Sequence, residues 1–78
     1  MTTCQLTYLP FATEQVVKEV DEVVDFIDAF DVEYEVGDLS TTVRGERDEV
    51  LRLVTEMFIS RDDARKKFRL HVELLSEH

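Results

Sequence analysis

"VEYEVGDLSTTVRG", residues 32–45, is the stretch on which the fold turns. Its first five residues alternate, with Val32, Tyr34 and Val36 on one side and Glu33 and Glu35 on the other. A period of two marks a half-buried strand, and alternating glutamates suit an edge strand that must discourage foreign pairing. Gly37 and Asp38 are turn formers. Leu39 to Arg44 then resumes as a strand with Leu39, Thr41 and Val43 inward, and Gly45 breaks it. The two strands make a hairpin. Three neighbouring hydroxyls, Ser40, Thr41 and Thr42, raise a chemical question. Threonine suits pleated backbone because it is β-branched. Short hydroxyls also line small-molecule pockets, where a few polar groups orient an otherwise apolar ligand.

Upstream, Cys4 to Leu9 reads as a strand with Cys4, Leu6 and Tyr8 on one face and Gln5, Thr7 and Leu9 on the other. Pro10 removes a ladder donor and ends it. Thr13 is placed to cap a helix whose apolar stripe is Val16, Val17, Val20, Val23, Val24, Ile27 and Phe30. Asp21, Asp25 and Asp28 form its outer acidic row. Downstream, a second helix starts at Glu46 or Asp48 and carries Val50, Leu51, Val54, Met57 and Phe58. The polar tract from Ser60 to Lys67 fits a frayed helical turn or a loop equally well. Phe68 to Leu75 is the last strand, with Phe68, Leu70, Val72 and Leu74 inward and Arg69, His71 and Glu73 outward.

The element order is βαββαβ. Right-handed crossovers turn it into an α+β, ferredoxin-like sandwich: a four-stranded antiparallel sheet with both helices on one face. The expected spatial order is fourth, first, third, second strand. The strands richest in hydroxyls then lie together at the centre.

The 78 residues allow one domain, 1–78, near the lower size limit for a self-sufficient core. Cys4 is the single cysteine, so no disulfide staples the chain, and a reducing, cytoplasmic location is expected. One Cys and two His make no recognisable zinc set, and no apolar run is long enough to span a bilayer. No cofactor is called for, and self-association is the expected source of extra burial. The net charge is −9, unevenly spread: ten acids and one base up to Asp38, eight of each from Leu39 onward. That sign argues against nucleic acid as a partner, and no aromatic faces outward from the two central strands to stack on bases. An acidic surface serves solubility and also tolerates a cationic ligand. Catalysis is not expected, because neither histidine is tied by a motif to Cys4, and "LPFATEQ" has no glycine or arginine to cradle a phosphate.

"CQLTYLP", an amphipathic helix and then "VGDLSTTVRGERDEV" together resemble the YkoF-like thiamine- and hydroxymethylpyrimidine-binding family. The matching positions are Leu9 and Pro10, the run Asp38 to Gly45, and Asp48, Glu49 and Val50. The resemblance implies a ferredoxin-like fold, a homodimer or homotetramer, and cytoplasmic binding of thiamine or its pyrimidine precursor. "ISRDDARKKF" departs from the family's pattern by its charge, and the last strand departs by lacking small polar residues. For such a ligand the polar candidates are Ser40, Thr41, Thr42, Thr7 and Gln5, with Asp38 as the nearest carboxylate. Tyr8 or Leu9 supplies apolar contact, and His71 a polar contact to a ring nitrogen or a facing subunit. The opposing reading places Thr41 in the core and leaves Ser40 and Thr42 to solvent. A rival function is a ligand-free structural or regulatory oligomerisation module, with the acidic first helix of one subunit against the basic 61–67 tract of another.

Overall fold

The computed structural model describes residues 1–77. Six elements follow in order: β1 (Thr2–Pro10), α1 (Val16–Asp28), β2 (Glu33–Val36), β3 (Thr41–Gly45), α2 (Arg47–Asp63) and β4 (Phe68–Ser76). The sheet runs β2–β3–β1–β4, with every neighbouring pair antiparallel. This is the ferredoxin-like α+β arrangement expected from the alternation and the helical periods.

Residues directly opposite one another share a face, so the register sorts the side chains. Leu6 lies opposite Thr41 and Val72, and Cys4 opposite Val43 and Leu74. These point towards the helices. Gln5 lies opposite Thr42 and Glu73, and Thr7 opposite His71. These point to the open face. The core joins Cys4, Leu6 and Val43 of the sheet to Val23 and Ile27 of α1 and Val50, Leu53 and Met57 of α2. Each such side chain contributes roughly 1.5–3 kcal/mol when fully withdrawn from water. Gly45 ends β3 without a side chain for a reason of space: a Cβ there would lie 3.0 Å from Val32 Cγ1.

Several expectations need correction. Leu39 is not inward; it sits 88 % exposed in the loop before β3, because the chain turns through Gly37–Ser40 and the strand starts only at Thr41. Val16 and Val17 are exposed at the start of α1. Thr13 does not cap that helix directly, but its hydroxyl accepts the Gln15 N–H at 3.0 Å. In α2 the buried row is Val50, Leu53, Met57 and Arg61, while Leu51 and Phe58 stay exposed. The polar tract is helical up to Asp63. It then closes with a doubly hydrogen-bonded C-terminal turn, Lys66 N–H to Arg61 C=O at 3.1 Å and Arg65 N–H to Asp62 C=O at 2.9 Å. Arg65 occupies the left-handed position of that turn, at φ 58°.

Candidate functional site

β1 has nine residues and β3 only five. Their pairing runs from Thr2 opposite Gly45 to Leu6 opposite Thr41 and stops there. From Thr7 onward β1 therefore has β4 on one side and the 37–40 loop on the other. The loop is held by the Gly37 N–H donating to the Ser40 carbonyl at 2.8 Å, and the Thr7 hydroxyl reaches the Leu39 carbonyl at 3.4 Å. Val20 and Val24 of α1 roof the gap. A cleft of about 270 Å³ results, floored by Leu6, Val23 and Ile27.

The cleft has the make-up of a small-molecule site: apolar walls with a few polar groups at one rim. Ser40 and Thr41 bring hydroxyls, Thr7 lines the rim where its open-face hydroxyl meets the Leu39 carbonyl, and Asp38 is the single charged residue among those lining the cleft. Main-chain groups contribute as well. Outside the ladder, Phe11 N–H bonds Lys67 C=O and Glu77 N–H bonds Met1 C=O. Antiparallel hydrogen bonding alternates, so odd-numbered β1 residues bond to β4 and even-numbered ones turn away from it. The Tyr8 N–H and C=O therefore point into the gap beside the loop.

The Tyr8 side chain is fixed from the other direction. Its hydroxyl accepts a hydrogen bond from Arg61 Nε at 3.2 Å, and its ring packs on Phe68 with centroids 5.3 Å apart. Arg61 is only 8 % exposed and donates from Nη1 to Glu22 Oε2 at 3.1 Å. Its Nη2 lies 3.9 Å from Glu19 Oε1 and is buried without a hydrogen-bond partner among the described residues. Lys66 Nζ completes the group, 3.3 Å from Glu19. The hydrogen bond from Arg61 and its positive charge hold the Glu22 carboxyl below the usual glutamate range. Sequence reading missed this cluster. The available signal was the row Val50, Leu53, Met57, whose next helical position is residue 61.

Six of the expected site residues thus meet at one cleft: Thr7, Tyr8, Leu9, Asp38, Ser40 and Thr41. Three do not join them. Gln5 and Thr42 lie on the open face, in a hollow of about 430 Å³ beside Glu73 and Leu75. His71 lines a smaller one, about 310 Å³, with Gln5, Thr7 and Glu73. A groove of about 470 Å³ between the helices is more open than the cleft. Arg52 occupies its wall, 4.6 Å from the Phe30 ring and bonded to Glu49 and Glu56. The basic tract is similarly engaged, since Arg61 and Lys66 pair with carboxylates of their own α1.

The family model for thiamine-binding proteins matches residues 4–66, which span β1 to the end of α2. The chain belongs to the thiamine-binding protein family. Solved structures agree with that membership. A Thermotoga maritima protein described as a candidate thiamine biosynthesis or salvage protein is 26 % identical, with a TM-score of 0.82 over 97 % of this chain and 83 % of that one. A domain of unknown function from Bacillus cereus is also 26 % identical, with a TM-score of 0.81 over 97 % of this chain and 75 % of its own. A Streptococcus pneumoniae protein, 20 % identical, shares the fold at a TM-score of 0.84, over 99 % and 87 % of the two chains. No curated protein matches. For a member of the thiamine-binding family, the expected activity is that of a binding protein. No described helix is long and apolar enough to cross a membrane.

Proposed function

We propose that this chain binds thiamine or its hydroxymethylpyrimidine moiety in the cleft between α1 and the 37–40 loop. It does so without transforming the ligand, as a cytoplasmic homo-oligomer carrying one ferredoxin-like domain, 1–78, per chain. The observation that carries the reading is the convergence of Thr7, Ser40, Thr41, Asp38 and the Tyr8 main chain on one apolar cleft, in a member of the thiamine-binding family.

An aminopyrimidine is flat, with ring nitrogens that accept and an amino group that donates. Val20 and Val24 offer its face an apolar wall, while hydroxyls and the β1 main chain serve its edge. Asp38 and the exposed row Asp21, Asp25 and Asp28 attract a thiazolium cation rather than repel it. The volume, about 270 Å³, lies just below the ~300–1,000 Å³ typical of drug-sized pockets, which favours the single-ring fragment. Binding without chemistry fits the groups present. No histidine, lysine or cysteine lines the cleft, and burial pushes the Cys4 thiol up to about 11, far from a reactive thiolate.

The test is calorimetric titration with hydroxymethylpyrimidine and thiamine on wild type, a Ser40→Ala/Thr41→Val double variant and Thr42→Val. The expected result is heat for wild type and for Thr42→Val, whose hydroxyl faces away from the cleft, with affinity at least about tenfold lower for the double variant. Absence of heat with both compounds on wild type would remove the proposal. Loss on Thr42→Val alone would move the site to the open face.

A further inference from the structure

We infer that β4 is the contact surface of the homo-oligomer, pairing antiparallel with β4 of a second copy about a two-fold axis through Val72. The inference deepens the oligomer named in the proposed function and is independent of which ligand binds.

The two edges of the sheet are unlike. β2 is only four residues long and two of them are glutamates, Glu33 and Glu35; shortness and charge both keep strangers off an edge. β4 is nine residues long and carries exposed Val72, Leu74 and Leu75 at 40, 50 and 57 %. Long, apolar, unpaired edges recruit another strand. The hydrogen-bond alternation that turns Tyr8 away from β4 also sets β4 itself: odd-numbered residues bond to β1, so Leu70, Val72 and Leu74 turn their N–H and C=O outward. Their side chains point to the helix side, where Val72 and Leu74 are left uncovered.

A second copy of β4 matches this edge to itself. In a two-fold contact the same patch meets itself, so the sequence must be self-complementary on reversal. Centred on Val72, the run Leu70, His71, Val72, Glu73, Leu74 is self-complementary, with Arg69 falling opposite Leu75. Leu70 meets Leu74 of the partner subunit and Val72 meets its own copy, forming an apolar row on the helix side. On the open face His71 meets Glu73 of the partner subunit, an imidazole N–H donor opposite a carboxylate acceptor. Shifting the centre to Glu73 would set two carboxylates against each other, and shifting it to His71 would oppose two imidazoles. The outward main-chain groups of residues 70, 72 and 74 then bond to each other, and the two sheets become one of eight strands.

The experiment is sedimentation equilibrium on the ligand-free chain at tens of micromolar, with three variants. Wild type should have twice the 9.1 kDa chain mass or a multiple of that. Val72→Lys should halve the assembly while keeping its circular dichroism and its hydroxymethylpyrimidine titration, because β4 does not line the cleft. Val72→Cys should cross-link to a covalent dimer on mild oxidation, since opposed residues sit about 5.5 Å apart, within disulfide reach. Leu70→Cys, four residues from its own copy in this register, should not. Cys4 is buried and does not compete. A monomeric wild type overturns both the oligomer and this surface. An oligomer unaffected by Val72→Lys, with no Val72→Cys cross-link, overturns the surface alone.

Discussion

On one flank of α1, Glu19 and Glu22 meet Arg61 of α2, and Tyr8 and Lys66 close around them. On the other flank, Val20 and Val24 stand over a cleft that the 37–40 loop only partly covers. The same helix is sealed on one side and left open on the other. The difference follows from what each flank faces. α2 is long enough to bring a guanidinium to the carboxylates, whereas β3 stops at Thr41 and leaves β1 to run on without a neighbour. Tyr8 belongs to both regions. Its hydroxyl is held by the sealed flank and its main chain faces the open one, so the ion-pair cluster fixes a wall of the cleft.

The largest expected effect comes from unsealing the closed flank. Arg61→Ala strands the buried Glu19 carboxylate with Lys66 alone and should cost about 3–5 kcal/mol, read by denaturant unfolding. A loss under about 1 kcal/mol would mean that the cluster is not a structural seal. Adjacent valines sharpen the contrast next. Both line the cleft, but Val23 is a buried core residue at its floor, whereas Val24 is half-buried at its roof. Val23→Phe should cost about 1–3 kcal/mol by overpacking. Val24→Phe should change stability by less than about 1 kcal/mol and yet abolish ligand heat. Equal costs at the two sites would erase the distinction.

Acid probes the sealed flank more gently. Glu22 has its folded pKa below the ordinary 4.5, first through the Arg61 hydrogen bond. A depressed carboxylate stabilises the fold above its unfolded pKa, and that contribution is lost as pH falls from about 4.5 through the folded value. Melting temperature should therefore drop less steeply below that pH in Glu22→Gln than in wild type; parallel curves would contradict the pairing. The smallest effect lies at the end of α2. Arg65 holds a left-handed backbone, so Arg65→Gly should raise stability by about 0.5–1 kcal/mol, relief of strain outweighing the entropy of glycine.

Much of this architecture was legible in the sequence. Alternation in β1, β2 and β4 assigned Cys4, Leu6, Glu33 and Glu73 to the sides they occupy, and Thr41 and Thr42 to opposite faces. What failed did so for physical reasons. Leu39 continued the alternation on paper, but the turn uses up two more residues than the pattern implies. Arg61 looked like part of a solvated charge tract because its partners lie about forty positions earlier, and only the packing of α1 on α2 brings them together. At the site the residue types were readable and the enclosure was not. The roof by Val20 and Val24 depends on where α1 crosses the sheet, which no local pattern encodes.

The most direct test of the proposed site is to map it. Hydroxymethylpyrimidine titrated into isotopically labelled chain should shift amide resonances of Tyr8, Val20, Val24 and residues 37–41, leaving those of Gln5, Thr42 and Glu73 in place. Shifts confined to Gln5, Thr42, His71 and Glu73, or none at saturating ligand, would contradict it.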